Sequence, residues 1–421
     1  MKKRQNRTPK ITGSTTYRFI LFLMIISMMV SSCEEYPEID LVTYDDQPIV
    51  SSPIITTIAP PVGSAFAAYS LVTITGDNFS PDSGGNTIYF SGMQAEIQSE
   101  SISEIIVLAP DVTGENLEIS IVVTGAPEIA TAPYSLANLS LEYAGFGNAE
   151  KSRCIAMDAD ENIYAMLDDR TVVKVSPSGD RTNYGTTSAF PSAGEMRVGP
   201  SGALYIQRTS QRIIYSIPPG GGDAQEFITF PESVGGQSVR LTSFDFDEHG
   251  NIYAGGIGGG LVASNVNGNS YGLDQYLDGV KIKSVRVYDG YVYLGREDGV
   301  WRSEIQSDTG SVGTAEQVFD WANSGSFSDS DLKSITFAAD GDMLIGTSNT
   351  SNTSLDPILV LHPDGSTESL YPGQLLLPAD HIVWGNGVYA YVNRANRDAE
   401  LRRIIRINLL KPGAPYYGRG L

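Results

Sequence analysis

The chain contains three histidines in all, and their spacing argues against metal or acid–base catalysis. His249 stands beside Gly250, and His362 opens the run His362-Pro363-Asp364-Gly365, so both read as solvated turn residues. His381 precedes a strand-like segment and has no clustered partner in sequence. A metal site would need several convergent imidazoles, thiolates or carboxylates. Asp158-Ala159-Asp160-Glu161-Asn162 resembles a calcium loop in its acid spacing, yet it lacks the glycine at position six and the closing glutamate. Turn chemistry accounts for these acids without an ion. Gly255-Gly256-Ile257-Gly258-Gly259-Gly260 follows a strand pattern and opens no helix, so it does not read as a phosphate cradle. No nucleophile elbow, Walker loop or His-Glu-x-x-His is present. Cys154, within Arg153-Cys154-Ile155-Ala156-Met157, reads as a small buried apolar residue. The residues thus call for no catalytic group, metal or cofactor.

Binding through aromatic surfaces fits the composition better. Sugars present apolar C–H faces that stack on indole and phenol rings, with hydroxyls that need a few polar partners. All three tryptophans fall in the second half of the chain: Trp301, Trp321 and Trp384. Trp384 abuts a turn and Trp321 precedes the polar run 323–331, which makes these two the better candidates for an exposed ligand platform. Trp301 sits mid-strand. The competing use of each ring is packing between sheets. Arg394, Arg397, Arg402, Arg403, Arg406, Lys411 and Arg419 give the protein a basic end, expected to decorate strand faces and ion-pair locally, with a patch for an anionic ligand as the alternative reading.

The elements that would position these residues begin with an export signal. Lys2, Lys3, Arg4, Arg7, Lys10 and Arg18 precede the apolar run 19–30, which ends at Val30-Ser31-Ser32-Cys33. A bilayer crossing needs roughly 20 apolar residues, whereas this run is short and closes on small residues, as a cleaved signal does. The small pair before Cys33 resembles the lipobox of bacterial lipoproteins, which implies a signal peptide over 1–32 and lipid attachment at Cys33. Loss of those six positive charges takes the formal net charge from -21 to -27. Such an excess repels nucleic acid and anionic membrane surfaces. Cys33 and Cys154 are the two cysteines, so lipidation of the first leaves no intramolecular disulfide. Residues 33–52 read as an acidic flexible tether with a reach of roughly 60 Å at about 3.1 Å per residue. Acids directly after the lipid-bearing cysteine resemble the signal that sends Bacteroidetes lipoproteins to the outer face of the outer membrane.

Residues 53–137 show short period-2 strands separated by Gly76-Asp77-Asn78, Asp82-Ser83-Gly84-Gly85 and Pro110-Asp111, the pattern of an immunoglobulin-like sandwich. Val72-Thr73-Ile74-Thr75-Gly76-Asp77-Asn78-Phe79, Ile88-Tyr89-Phe90-Ser91-Gly92 and Ile106-Val107-Leu108-Ala109-Pro110 resemble the IPT/TIG family in order. In bacterial surface lipoproteins that resemblance implies a rigid spacer.

Residues 138–421 repeat. A turn followed by an aliphatic-aromatic strand recurs six times, and Tyr164, Tyr205, Tyr253, Tyr293, Leu344 and Tyr389 mark intervals of 41, 48, 40, 51 and 45 residues. Periods of 40 to 50 residues, with a second hairpin signal in each unit, indicate propeller blades. The chain thus reads as all-β: an IPT/TIG sandwich followed by a six-bladed β-propeller resembling NHL-repeat proteins, with a seven-bladed count left open. Closure needs a borrowed strand, and Leu139–Tyr143 is expected to pair as the outer strand of the last blade beside Arg403–Leu409. Together these resemblances imply a lipid-anchored, surface-exposed, non-catalytic glycan-binding accessory protein beside a starch-utilisation-type, TonB-dependent importer complex. Its partner would be a polysaccharide or oligosaccharide. A protein-interaction or adhesion scaffold, and a metal-dependent propeller lactonase or lyase, are the rival classes.

Overall fold

A computed structural model describes residues 50–199, 202–258, 260–264, 270–273, 279–395 and 398–418. The expected signal peptide, Cys33, most of the tether, Gly259, Arg397 and Arg419 lie outside them. Two four-stranded sheets pack face to face in the sandwich. One orders Ile54–Ala59, Leu71–Asp77, Glu104–Leu108 and Glu96–Glu100; the other orders Met93–Gln94, Asn86–Phe90, Gly114–Val123 and Ala130–Leu136. Strict alternation puts Val72, Ile74, Ile105 and Val107 of the first sheet against Ile88, Phe90, Ile119 and Ile121 of the second, all fully buried.

Among the described residues six further sheets follow, each built on four antiparallel strands; the first gains a short fifth strand, Gly222–Asp223, that pairs parallel to Arg181–Thr186, and a separate two-stranded hairpin joins Ser233–Val234 to Gln237–Ser238. The inner strands of the six sheets are Ser152–Met157, Ala193–Val198, Leu241–Phe246, Ile282–Tyr288, Asp331–Phe337 and His381–Trp384. Each inner strand touches the next, and the last touches the first, so the sheets form a closed, propeller-like ring. Burial falls from axis to rim. Ile163–Leu167, second in its sheet, is buried throughout because neighbouring sheets cover both faces, while Arg181–Thr186, fourth in the same sheet, is mostly accessible. The residues that mark the sequence repeat all fall on second strands.

The segment expected to close the ring does so. Ser140–Glu142 pairs antiparallel with Arg403–Asn408 at Ile405↔Glu142, Arg406↔Leu141 and Ile407↔Ser140. The sandwich enters this strand directly from its own last strand, which ends at Leu136. Phe66 and Tyr69 each meet the Tyr371 ring edge-on at 5.5 Å, and the Tyr371 hydroxyl donates to the Asn408 carbonyl at 2.6 Å. Phe66 thereby joins Leu139, Leu375 and Trp384 in one apolar cluster, which ties sandwich to ring.

At the axis the inner strands present edges with no neighbouring strand, and side chains satisfy them. Ser243 Oγ accepts from Val285 N (3.0 Å), Asp245 from Val287 N (2.9 Å) and Ser284 Oγ from Ile335 N (3.1 Å). Asp245, 1 % exposed, also bridges Arg286 (2.9 Å) and Arg197 (3.5 Å), and Arg197 pairs in turn with Glu195 at 3.0 Å. Burial opposes the Arg197 charge, but Glu195 and Asp245 outweigh it and hold its pKa above the ordinary value.

Removing one member of a buried ionic network strands the others. Asp245→Ala is expected to destabilise the ring by about 3–5 kcal/mol in urea unfolding, whereas Asp168→Ala, which frees the partly exposed Arg153, should cost under about 1 kcal/mol.

Candidate ligand-binding cleft

Side chains cross the ring axis at one end, and the C-terminal segment lies over the other. On the side where the inner strands begin, five of the six carry a register shift against their neighbour, at Ser152/Cys154, Ala193/Glu195, Leu241/Ser243, Ile282/Ser284 and Leu332/Ser334. A bulge adds one residue and re-aims its side chain. The residues within these shifts are Arg153, Gly194, Thr242, Lys283 and Lys333, and the three cations meet Asp168, Glu297 and Asp331. The sixth inner strand has no such shift, and its His381 donates through Nε2 to the Gly194 carbonyl at 2.7 Å, across from the sixth sheet to the second. Beside it Asp380 is held above the ordinary carboxylate range by burial.

The opposite end is covered by the C-terminal segment 410–418. Lys411 binds Asp340 at 3.0 Å and also Asp342, which bonds His362 Nδ1 at 2.8 Å. Gly413 lies on the Trp384 ring so closely that an added Cβ would stand 2.5 Å from the indole. Ala414 N donates to the Phe337 carbonyl at 2.9 Å, the Arg286 guanidinium sits 4.3 Å over the Tyr416 ring, and Tyr417 meets Phe246 at 5.6 Å. One short strap thus touches the third, fourth, fifth and sixth sheets.

With the axis filled, ligand space lies at the rim of this strapped face. A polar cleft of about 680 Å³ opens between the third, fourth and fifth sheets, lined by Glu248, His249, Tyr288, Gln306 and Asp308, with Pro415 of the strap as part of its wall. Tyr288 is half-buried, with its ring stacked on Phe337 at 4.2 Å and 11°. Burial first, and Asp289 next, raise its pKa, so the phenol stays protonated as a donor. His249 Nε2 lies 3.3 Å from Asp308 and 3.7 Å from Glu248. Asn251 secures the floor by donating to Asp247 (2.6 Å) and to the Asp308 carbonyl (3.0 Å). The arrangement offers one stacked ring, carboxylate acceptors and an excess of negative charge, suited to a neutral polyhydroxylated ligand and repellent to an anion.

The tryptophan platform expected from sequence is corrected here. Trp384 is 1 % exposed inside the cluster that joins sandwich and ring. Trp321 is 7 % exposed, donates through Nε1 to the Ser330 carbonyl at 2.9 Å and packs edge-on to Phe319. Trp301 carries the Arg296 guanidinium 4.6 Å over its ring. Sheet-to-sheet packing takes Trp384 and Trp321, because they are the largest apolar surfaces available to fill the wedge between twisted sheets, while Trp301 is partly accessible at the edge of an apolar cluster. Cys154 is fully buried, and burial pushes its thiol pKa well up. Asp158 accepts from Asp160 N, Asn162 N, Asn162 Nδ2 and the Tyr164 hydroxyl, and Asp247 does the same with Asn251 and Tyr253. The Asp…Asn…Tyr spacing of four and six residues is therefore a turn device, a signal present twice in the sequence, at Asp158-Asn162-Tyr164 and Asp247-Asn251-Tyr253. Tyr288 gave no such signal, since its stacking partner comes from the next sheet.

Residues 53–143 match the IPT/TIG domain family, and the match runs beyond the sandwich to the strand that completes the ring. An auxiliary nutrient binding protein of Bacteroides ovatus is 12% identical over 85% of this chain and 97% of its own, with a TM-score of 0.51. A second protein so described, from Bacteroides thetaiotaomicron, is 12% identical over 86% and 98%, also at 0.51. A putative phosphatase from Bacteroides thetaiotaomicron is 11% identical over 85% and 97%, at 0.55. What this chain shares with them is the fold. No curated protein matches it.

The strap clamp titrates at both ends. The Asp342 hydrogen bond raises the His362 pKa above its ordinary 6.5, so that contribution is complete below 6.5 and is lost as pH rises through the raised value. Burial opposes the Asp342 charge, but Lys411 and His362 hold its pKa below 3.8; its contribution is complete above 3.8 and lost as pH falls through the lowered value. The thermal midpoint of the wild type should exceed that of His362→Gln most between pH 3.8 and 6.5, and the difference should vanish in alkaline buffer.

Proposed function

We propose that this protein is a lipid-anchored, surface-exposed glycan-binding accessory protein that holds neutral polysaccharide in the cleft at Tyr288. In this reading the ring is a six-bladed, NHL-like β-propeller, the sandwich and acidic tether hold it off the outer membrane, and captured chains pass to a TonB-dependent importer complex. The observation that carries the proposal is the cleft itself: the Tyr288 ring stacked on Phe337, beside the exposed carboxylates of Glu248 and Asp308, whose oxygens can accept sugar hydroxyls while they flank His249. The auxiliary nutrient binding proteins of similar fold support the accessory role. The three imidazoles support binding over metal-dependent chemistry, because His249, His362 and His381 are held at Asp308, Asp342 and the Gly194 carbonyl, in three separate places.

Affinity electrophoresis through gels containing neutral or uronate-bearing polysaccharides tests the reading. Retardation is expected in at least one neutral polymer and in no polyuronate, and Tyr288→Ala should weaken it by about 0.5–1.5 kcal/mol, the worth of a stacked ring. Passage unretarded through the whole panel would refute glycan capture. The anchor is tested by radiolabelled palmitate, which should enter the wild type and fail to enter Cys33→Ala.

A further inference from the structure

A second cavity, of about 280 Å³, lies between the fifth and sixth sheets, away from the Tyr288 cleft. Its walls are apolar: Leu141 from the closing strand, Ile358 from the fifth sheet, Leu376 from the connection between them, and Val392, Ile405 and Ile407 from the sixth. One buried cation lines it. Arg394, at the end of Tyr389–Arg394, is 8 % exposed and donates through Nε to the Leu401 carbonyl at 2.6 Å.

Among the described residues the two Nη groups of Arg394 have neither a hydrogen-bond acceptor nor a carboxylate within ion-pair distance. Glu142, the acid in the same cavity, is taken by Arg403 at 2.8 Å. The immediate surroundings therefore hold two guanidiniums against one carboxylate, a local excess of positive charge within a chain of net charge -21. Burial lowers the Arg394 pKa, with Glu142 opposing that effect. The Nη groups keep contact with solvent through the open side of the cavity, and a largely desolvated charge without a counter-charge gains when an anion enters beside it. Five donors in a planar fork match a carboxylate in two-point contact. Walls of Leu, Ile and Val ask for an apolar body on that anion, and cavities of roughly 150 Å³ with such walls already hold a small hydrocarbon.

We propose that the cavity between the fifth and sixth sheets is a binding site for a small amphipathic monocarboxylate, with its carboxylate on Arg394 and its apolar portion against Leu376, Ile405 and Ile407. The probes are octanoate and its neutral isostere octanamide, titrated into the purified full chain by calorimetry and by NMR of labelled leucine and isoleucine methyls. Octanoate should bind saturably at millimolar concentration or below and shift methyl resonances of the cavity walls, with octanamide at least about tenfold weaker. Arg394→Met should lose the preference for the anion. It should also leave the thermal midpoint within a few degrees of the wild type, since the Nη groups it removes carry no ion pair among the described residues. Leu376→Glu, at an accessible position of the wall, should block octanoate by supplying an internal carboxylate without disturbing the core. The proposal is overturned by octanamide binding as well as octanoate, by absence of saturable binding, or by octanoate binding unchanged in both variants.

Discussion

A ring of sheets leaves its innermost strands with unpaired edges facing one another across an axis, and satisfying those edges is the constraint on which the rest of this molecule depends. No seventh strand can enter there, so polar side chains from one sheet cap the backbone of the next. Asp245 does most, serving Val287 N, Arg286 and Arg197 at once. Buried charge of this kind is weak evidence for added stability; its consequence here is register. An inner strand displaced by one residue would turn Ser243 or Ser284 away from the amide each now caps.

Filling the axis decides where ligands can go. His381 reaches the Gly194 carbonyl at one end, and the strap from Lys411 to Gly418 covers the other. Binding is displaced to the clefts between sheets, where twist opens a wedge and loops line it. Two such clefts have opposite character. The one at Tyr288 is acidic and polar, and the one at Arg394 is apolar with a buried cation. The junction at Phe66, Tyr69 and Tyr371 makes the sandwich part of the same assembly, so the ring is presented at a fixed attitude rather than on a loose hinge.

Much of this architecture could be read from residues alone because the signals were local. Turn-then-aromatic units at intervals near 45 residues placed every second strand, and Val72-Thr73-Ile74-Thr75-Gly76-Asp77 alternates in sequence as it alternates in burial. Leu139–Tyr143 could be assigned to the last sheet because topology requires a partner for Arg403–Asn408. The tryptophans could not be placed, since a ring beside a turn is exposed or buried according to what later chain lies over it; Gly413 covers Trp384. The basic end likewise divided: Arg403 and Lys411 found acids, Arg406 lies over the rings of Tyr143 and Tyr389, and Arg394 was enclosed with its Nη groups unmatched among the described residues.

The amino-acid sequence by itself determined an all-β chain, a sandwich followed by repeated sheets, and the strand that completes the last of them, because periodicity and turn chemistry act over a few residues. Tertiary structure alone decided which side chains meet. Tyr288 with Phe337 and Asp245 with Arg197 and Arg286 are pairings between sheets whose members lie some 40 residues or more apart, and the walls around Arg394 are gathered from the closing strand, the fifth sheet and the sixth. Such contacts depend on the rotation from one sheet to the next, a quantity that no single segment encodes.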